Sequence, residues 1–87
     1  MNINKSNILS NICYTELVYE RINKKLKIHF SNSEIEELIY KIISETDYTC
    51  FERIGKNIYV TNFENQIRVT INLNTYRIIT VDRVAKS

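Results

Sequence analysis

Between residues 14 and 26 the apolar positions Leu17, Val18, Ile22 and Leu26 recur at helical spacing and line one side of a helix. Thr15 is placed as its N-cap, with Glu16 at the positive end of the dipole and Lys24, Lys25 and Lys27 at the negative end. A shorter helix is predicted over residues 6–13, with Ile8, Leu9 and Ile12 inward. Ser33-Glu34-Ile35-Glu36 reads as a capping box, in which the serine hydroxyl and the Glu36 carboxylate satisfy free backbone amides. The helix it opens carries Ile35, Leu38, Ile39, Ile42 and Ile43 on one broad stripe and ends near Glu45.

From residue 48 the period changes to two, and β-branched and aromatic residues dominate. Strands are predicted over residues 48–54, 57–62, 66–73 and 75–84, joined by turns short enough for consecutive hairpins. With one glycine and no proline, the positive-φ turn positions are assigned to Asn65 and Asn74. The expected architecture is α+β: two to three N-terminal helices packed on a four-stranded antiparallel meander, all in one domain over residues 1–87.

A two-residue loop at Asn74-Thr75 would set Ile71 opposite Ile78, Val69 opposite Thr80, Asn72 opposite Arg77 and Arg68 opposite Val81. Ile58, Val60, Ile67, Val69, Ile71, Leu73, Tyr76 and Ile78 then face the helices. Arg68, Thr70, Asn72, Arg77, Arg83, Tyr59 and Thr61 face outward, with Ile79 and Val81 as apolar patches among them. A slip of one residue would bury several arginines and is disfavoured.

Composition narrows the function classes. Eighty-seven residues hold one core, and a core of this size leaves dimerisation as an available route to extra stability. With 44% hydrophobic and 25% charged residues the balance is that of a globular protein. No apolar run approaches eighteen residues, which excludes a membrane-spanning helix, and the first ten residues do not resemble a signal peptide. A cytoplasmic location with reduced thiols is the expectation. A net charge of +2 is too small to attract nucleic acid by itself, so an anionic partner must be argued from where the arginines sit.

The outward face is the first candidate site. Arginine grips phosphate through two parallel hydrogen bonds and a tyrosine ring can stack on a base, so Arg68, Arg77 and Tyr59 with Thr70 and Asn72 suit an anionic ligand such as RNA. The same residues equally suit the wet side of a half-solvated sheet. Arg21, between the like-charged Glu16 and Glu20, is a second candidate for binding or for a structural salt bridge. Arg53 and Lys56 flank the Gly55 turn and could cradle a phosphate. Cys13, His29 and Cys50 lack zinc-site spacing, and the cysteines read as small buried apolar residues. With Gly55 the sole glycine there is no phosphate loop, and no cofactor or metal is expected.

Several of these residues recur together: Thr15-Glu16-Leu17 with Glu20-Arg21-Ile22, Arg53, Gly55-Lys56-Asn57 with Tyr59-Val60, Val69-Thr70-Ile71-Asn72, and Tyr76 with Ile78-Ile79-Thr80. Over about residues 13–83 this pattern resembles a family of short bacterial proteins catalogued as a domain of unknown function, number 3781. The resemblance implies the domain limits without implying a reaction. The order of helices and sheet is also similar to that of barnase-like, colicin-like and RelE-like RNases. That likeness implies a metal-independent cleavage of RNA, with Arg53, Lys56, Arg68 and Arg77 as phosphate clamp and Tyr59 or Thr80 at the scissile group. The family pattern implies histidines where this chain has Cys13 and Asp82, which favours a binder over an enzyme. Two expectations follow. The first is a non-enzymatic binding module with a basic sheet face, for a protein or an anionic ligand, of the phage or mobile-element inhibitor type (anti-CRISPR or other anti-defence). The alternative is an RNase of the bacterial toxin type.

Overall fold

The computed structural model describes residues 3–85. Three helices precede the sheet: α1 Lys5–Asn11, α2 Glu16–Leu26 and α3 Asn32–Glu45. A single 3-10 turn, Tyr48–Cys50, leads into β1 Phe51–Ile54, followed by β2 Asn57–Asn62, β3 Ile67–Asn72 and β4 Ile78–Arg83. The strands lie in the order β1-β2-β3-β4, all neighbours antiparallel, which is the meander expected from the sequence.

Thr15 caps α2 by backbone position, without a side-chain bond, and Lys27 ends the helix in the left-handed region at φ 57°. Its inward residues are Val18, Ile22 and Leu26, four apart, whereas Leu17 points away and is 71% exposed. The sequence pattern had placed Leu17 inward; a residue next to Val18 is rotated about 100° from it, and α2 is too narrow a contact for both to be buried.

α3 begins two residues earlier than expected. Ser31, not Ser33, is the N-cap, with Ser31 Oγ accepting from Glu34 N at 3.2 Å and Ser31 N donating to Glu34 Oε1 at 2.8 Å. Both serines precede a glutamate by three. Asn23 decides between them by holding Phe30, its Oδ1 accepting from Phe30 N at 2.9 Å and its Nδ2 donating to Phe30 O at 3.0 Å, which fixes the chain just before Ser31. At the other end Lys5 of α1 donates to Ser44 O at 3.3 Å and Thr46 O at 2.6 Å, capping the carbonyl end of α3.

Ile8 of α1, the α2 and α3 stripes and the inner residues Ile58, Val60, Ile67, Val69, Ile71, Ile78 and Val81 form one hydrophobic cluster. α3 packs across β2 and β3, and α2 runs along β4. Leu73 and Tyr76 lie at the margin of this cluster, half-buried.

The β3–β4 register departs from the expected one. Ile71 pairs with Ile78 as foreseen, but Thr70 pairs with Thr80, Val69 with Val81 and Arg68 with Asp82, so Ile79 has no partner and forms a bulge. The extra residue returns Val81 to the core, where it is fully buried, and turns Arg83 toward α2 to donate from Nη2 to Leu26 O at 3.0 Å. Val81 and Arg83 therefore leave the outward face assigned to them.

Both long turns span four residues, 63–66 and 73–76. Positive φ falls on their last residues, Gln66 (59°) and Tyr76 (58°), and not on Asn65 or Asn74. The asparagines that shape these turns are the strand-ending Asn62 and Asn72. Asn62 Oδ1 accepts from Asn65 N at 2.8 Å, and Asn72 Oδ1 accepts from Asn74 N at 2.8 Å and Thr75 N at 3.1 Å. β4 consequently starts at Ile78 and not at residue 75. Gly55, at φ 61°, opens the two-residue β1–β2 turn, a position that favours the residue without a Cβ.

Candidate functional site

With all three helices on one side, the other face of the sheet has no helix over it among the described residues. The register lays its side chains in cross-strand rows. Glu52, Tyr59, Thr70 and Thr80 form the central row, Thr61, Arg68 and Asp82 the row toward the β2–β3 turn, and Ile54, Asn57 and Asn72 the row at the opposite end. Arg68 is exposed and donates from Nε to Thr61 Oγ1 at 3.1 Å. Thr61 and Thr70 are buried although they lie on this face, so the longer Tyr59 and Arg68 form its outer surface. Asn72 spends its side-chain oxygen on the β3–β4 turn, and Thr80 donates to Val81 O at 3.3 Å.

The charge of this face is mixed. Asp82 stands opposite Arg68 and Glu52 opposite Tyr59, and Asp82 also forms the ion pair with Lys25 of α2 at 3.0 Å, the single one among the described residues.

Around the β4 edge the surface becomes more basic. Arg21 of α2 and Arg77 just before β4 line one shallow depression of about 220 Å³ with Leu17 and Ile79. Lys24 and Lys25 continue the charge along α2 beside Leu17 and Arg21. Arg21 does not bridge Glu16 and Glu20. It donates from Nη1 to Ile79 O at 3.1 Å. Cys13 closes the same edge as a parallel bridge to Arg77, with Cys13 N donating to Tyr76 O and Ile78 N to Cys13 O, each at 2.9 Å. Cys13 is exposed rather than buried, and Cys50 is half-buried in the 3-10 turn. Of the two positions where the family resemblance implied histidine, Cys13 adjoins the start of β4 and Asp82 lies near its end.

Of the residues named for RNA cleavage, Arg68, Tyr59 and Thr80 share the open face, and Arg53 and Lys56 do not join them. Arg53 pairs with Ile58 and so lies on the helix side, while Tyr59 and Thr80 lie on the open side; Lys56 is at the hairpin tip. Tyr59 and Thr80 are separated by β3, about 10 Å at two strand spacings. His29 is exposed in the α2–α3 connection.

One cluster had no sequence signal. Tyr14 and Tyr19 stack with ring centroids 5.4 Å apart, and Tyr19 donates to Glu36 Oε2 at 2.6 Å. That hydrogen bond, with lesser help from burial and the Glu36 charge, pushes the Tyr19 phenol up to about 12. Burial first, then the Glu36 charge, raises Tyr14 further, and its hydroxyl has no hydrogen-bond partner among the described residues. Asp47 is held below the usual carboxylate range by hydrogen bonds from Thr49.

The fold is thus a one-sided α+β domain with an open antiparallel face and a basic edge. Residues 6–82 match the model of the family described as Protein of unknown function (DUF3781), and the chain belongs to that family. No curated protein and no solved structure matches it. No helix of the described residues is long and apolar enough to cross a membrane.

Proposed function

We propose that the protein is a non-enzymatic binding module that holds a protein partner on its open sheet face and the adjoining β4 edge. The observation that carries this reading is a sheet face with no helix over it, whose outer surface is formed by Tyr59 and Arg68, beside a β4 edge where Arg77, Arg21 and the 71%-exposed Leu17 line one depression. An aromatic ring and arginines are the side chains that anchor protein interfaces, and the projecting Leu17 adds exposed apolar area beside them. Nucleic acid is the weaker partner, because a phosphate backbone needs an uninterrupted cationic track and Asp82 and Glu52 break this one. Inhibition of a larger enzyme, of the anti-CRISPR or other anti-defence type, is the role such a module serves: a small domain with one flat face can occlude a site. The test is affinity capture from nuclease-treated host lysate with the wild type and with Arg77→Glu and Tyr59→Ala. A protein retained by the wild type and lost with both variants, each still folded by circular dichroism, supports the reading. Equal retention by all three, or capture that disappears with the nuclease, overturns it.

A further inference from the structure

A second concavity, on the helix side of the sheet and independent of the open face, is a groove of about 290 Å³, partly open to solvent, between α1, β1 and the β3–β4 turn. Ile8, Ile58 and Leu73 supply apolar walls, and Arg53, Asn7 and Tyr76 the polar groups that matter. We propose that this pocket binds a small carboxylate carried on a short apolar chain.

The register Arg53↔Ile58 brings Arg53 to this side, and its Nε donates to Gly55 O at 3.2 Å. That bond orients the guanidinium while leaving both terminal nitrogens without a hydrogen bond or ion pair among the described residues. Asn7 Nδ2 donates to Tyr76 Oη at 2.8 Å, and Asn7 Oδ1 is itself taken by Asn11 Nδ2 at 3.0 Å. The Tyr76 hydroxyl is thereby used as an acceptor and keeps its own proton for a ligand. Two donors, one of them charged and exposed to solvent, therefore have no protein acceptor among the described residues, in a groove where Asn4, Asn7 and Asn74 stand beside the apolar Ile8, Ile58 and Leu73. A carboxylate is a ligand group that accepts from both kinds of donor, and the planar fork of arginine matches its two oxygens. Among the described residues Arg53 is the only charged one lining the pocket, which balances one negative charge. A phosphate monoester dianion would retain a second, uncompensated one. The volume lies at the small end of ligand sites and suits a chain of a few carbons.

Titration of the ¹⁵N-labelled protein with hexanoate, hexanol and inorganic phosphate tests this. Hexanoate should give saturable shifts at the Asn7 side-chain amide, Ile58, Leu73 and Tyr76, with hexanol and phosphate at least about tenfold weaker. Arg53→Gln should lose at least about tenfold in affinity and Tyr76→Phe several-fold, whereas Lys56→Gln, which removes a nearby cation outside the pocket, should bind as wild type. Hexanol binding as tightly as hexanoate, phosphate binding more tightly, shifts confined to other surfaces, or unchanged hexanoate affinity in a folded Arg53→Gln or Tyr76→Phe protein would each overturn the assignment.

Discussion

Arg21 on α2 reaches the main-chain carbonyl of Ile79 at 3.1 Å, and Ile79 is the one residue of β4 that the bulge leaves without a partner on β3. The helix thus holds the irregular point of the edge strand. The Cys13 bridge covers the start of the β4 edge, and at the other end the Arg83 side chain ties the strand to α2 through Leu26 O. The opposite edge, β1, is four residues long and carries Glu52 and Arg53, features that resist pairing with another strand. What is left available to a partner is the open face and the side chains that rim β4.

The bulge sets which β4 residues are buried. Val81→Asp should leave no folded protein, because it places a charge in a fully buried site, while Thr80→Asp should fold. On the paired strand, Ile71→Ala should cost about 2–5 kcal/mol and Arg68→Ala about 0.5 kcal/mol. Urea denaturation of the folded variants measures the contrast. A folded Val81→Asp protein beside an unfolded Thr80→Asp one would mean that the bulge is absent.

Ser31→Ala should lower stability by about 1 kcal/mol through loss of the α3 cap, and Ser33→Ala should stay within about 0.5 kcal/mol. The reverse order in thermal melts would move the start of α3 to Ser33.

Asn62 is buried, and its amide joins the end of α3 to the β2–β3 turn by donating to Thr46 Oγ1 at 3.0 Å while accepting from Asn65. Thr46 in turn donates to Ile42 O. Asn62→Ala should cost about 1–3 kcal/mol by leaving buried groups unpaired. Adding Thr46→Val should cost less than the sum of the two single changes, which a double-mutant cycle in guanidinium will show.

The raised Tyr19 phenol links stability to alkaline pH. The unfolded chain loses this proton near 10 and the folded chain near 12, so the contribution is complete below pH 10 and disappears as the pH rises to about 12. Ultraviolet titration of the wild type minus Tyr19→Phe should show one phenol titrating near 12. The fall in stability over that interval should be shallower in the variant, and a difference curve centred at 10 would show that the Glu36 hydrogen bond is not maintained in solution.

Strand number, strand order and the inner residues of β2 and β3 were legible because alternation and burial agree there: Ile58, Val60, Val69 and Ile71 admit one orientation. The β4 register was not, because Ile78-Ile79-Thr80-Val81 is apolar or β-branched throughout and its pattern accommodates a bulge at no visible cost. The start of α3 was ambiguous for a different reason, two serines each followed by glutamate at the third position, and was settled by Asn23 from another helix. Among the candidate binding residues, Tyr59, Arg68, Thr70 and Asn72 were placed on one face by alternation alone. The separation of Arg53 from Tyr59 follows from the two-residue Gly55-Lys56 loop, which sets Arg53 opposite the inward Ile58. The meeting of Arg21 with Arg77 depends on how α2 lies along β4, which no local pattern contains.

Chemical-shift mapping of the ¹⁵N-labelled protein on addition of the partner retained by affinity capture addresses the binding surface most directly. The expected result is perturbation of Tyr59, Arg68, Thr70, Thr80 and Arg77 with little change at Glu37 and Lys41, which are exposed on the far side of α3. Perturbation centred on Glu37 and Lys41, with the sheet residues unmoved, would contradict the assignment of the open face and β4 edge as the functional surface.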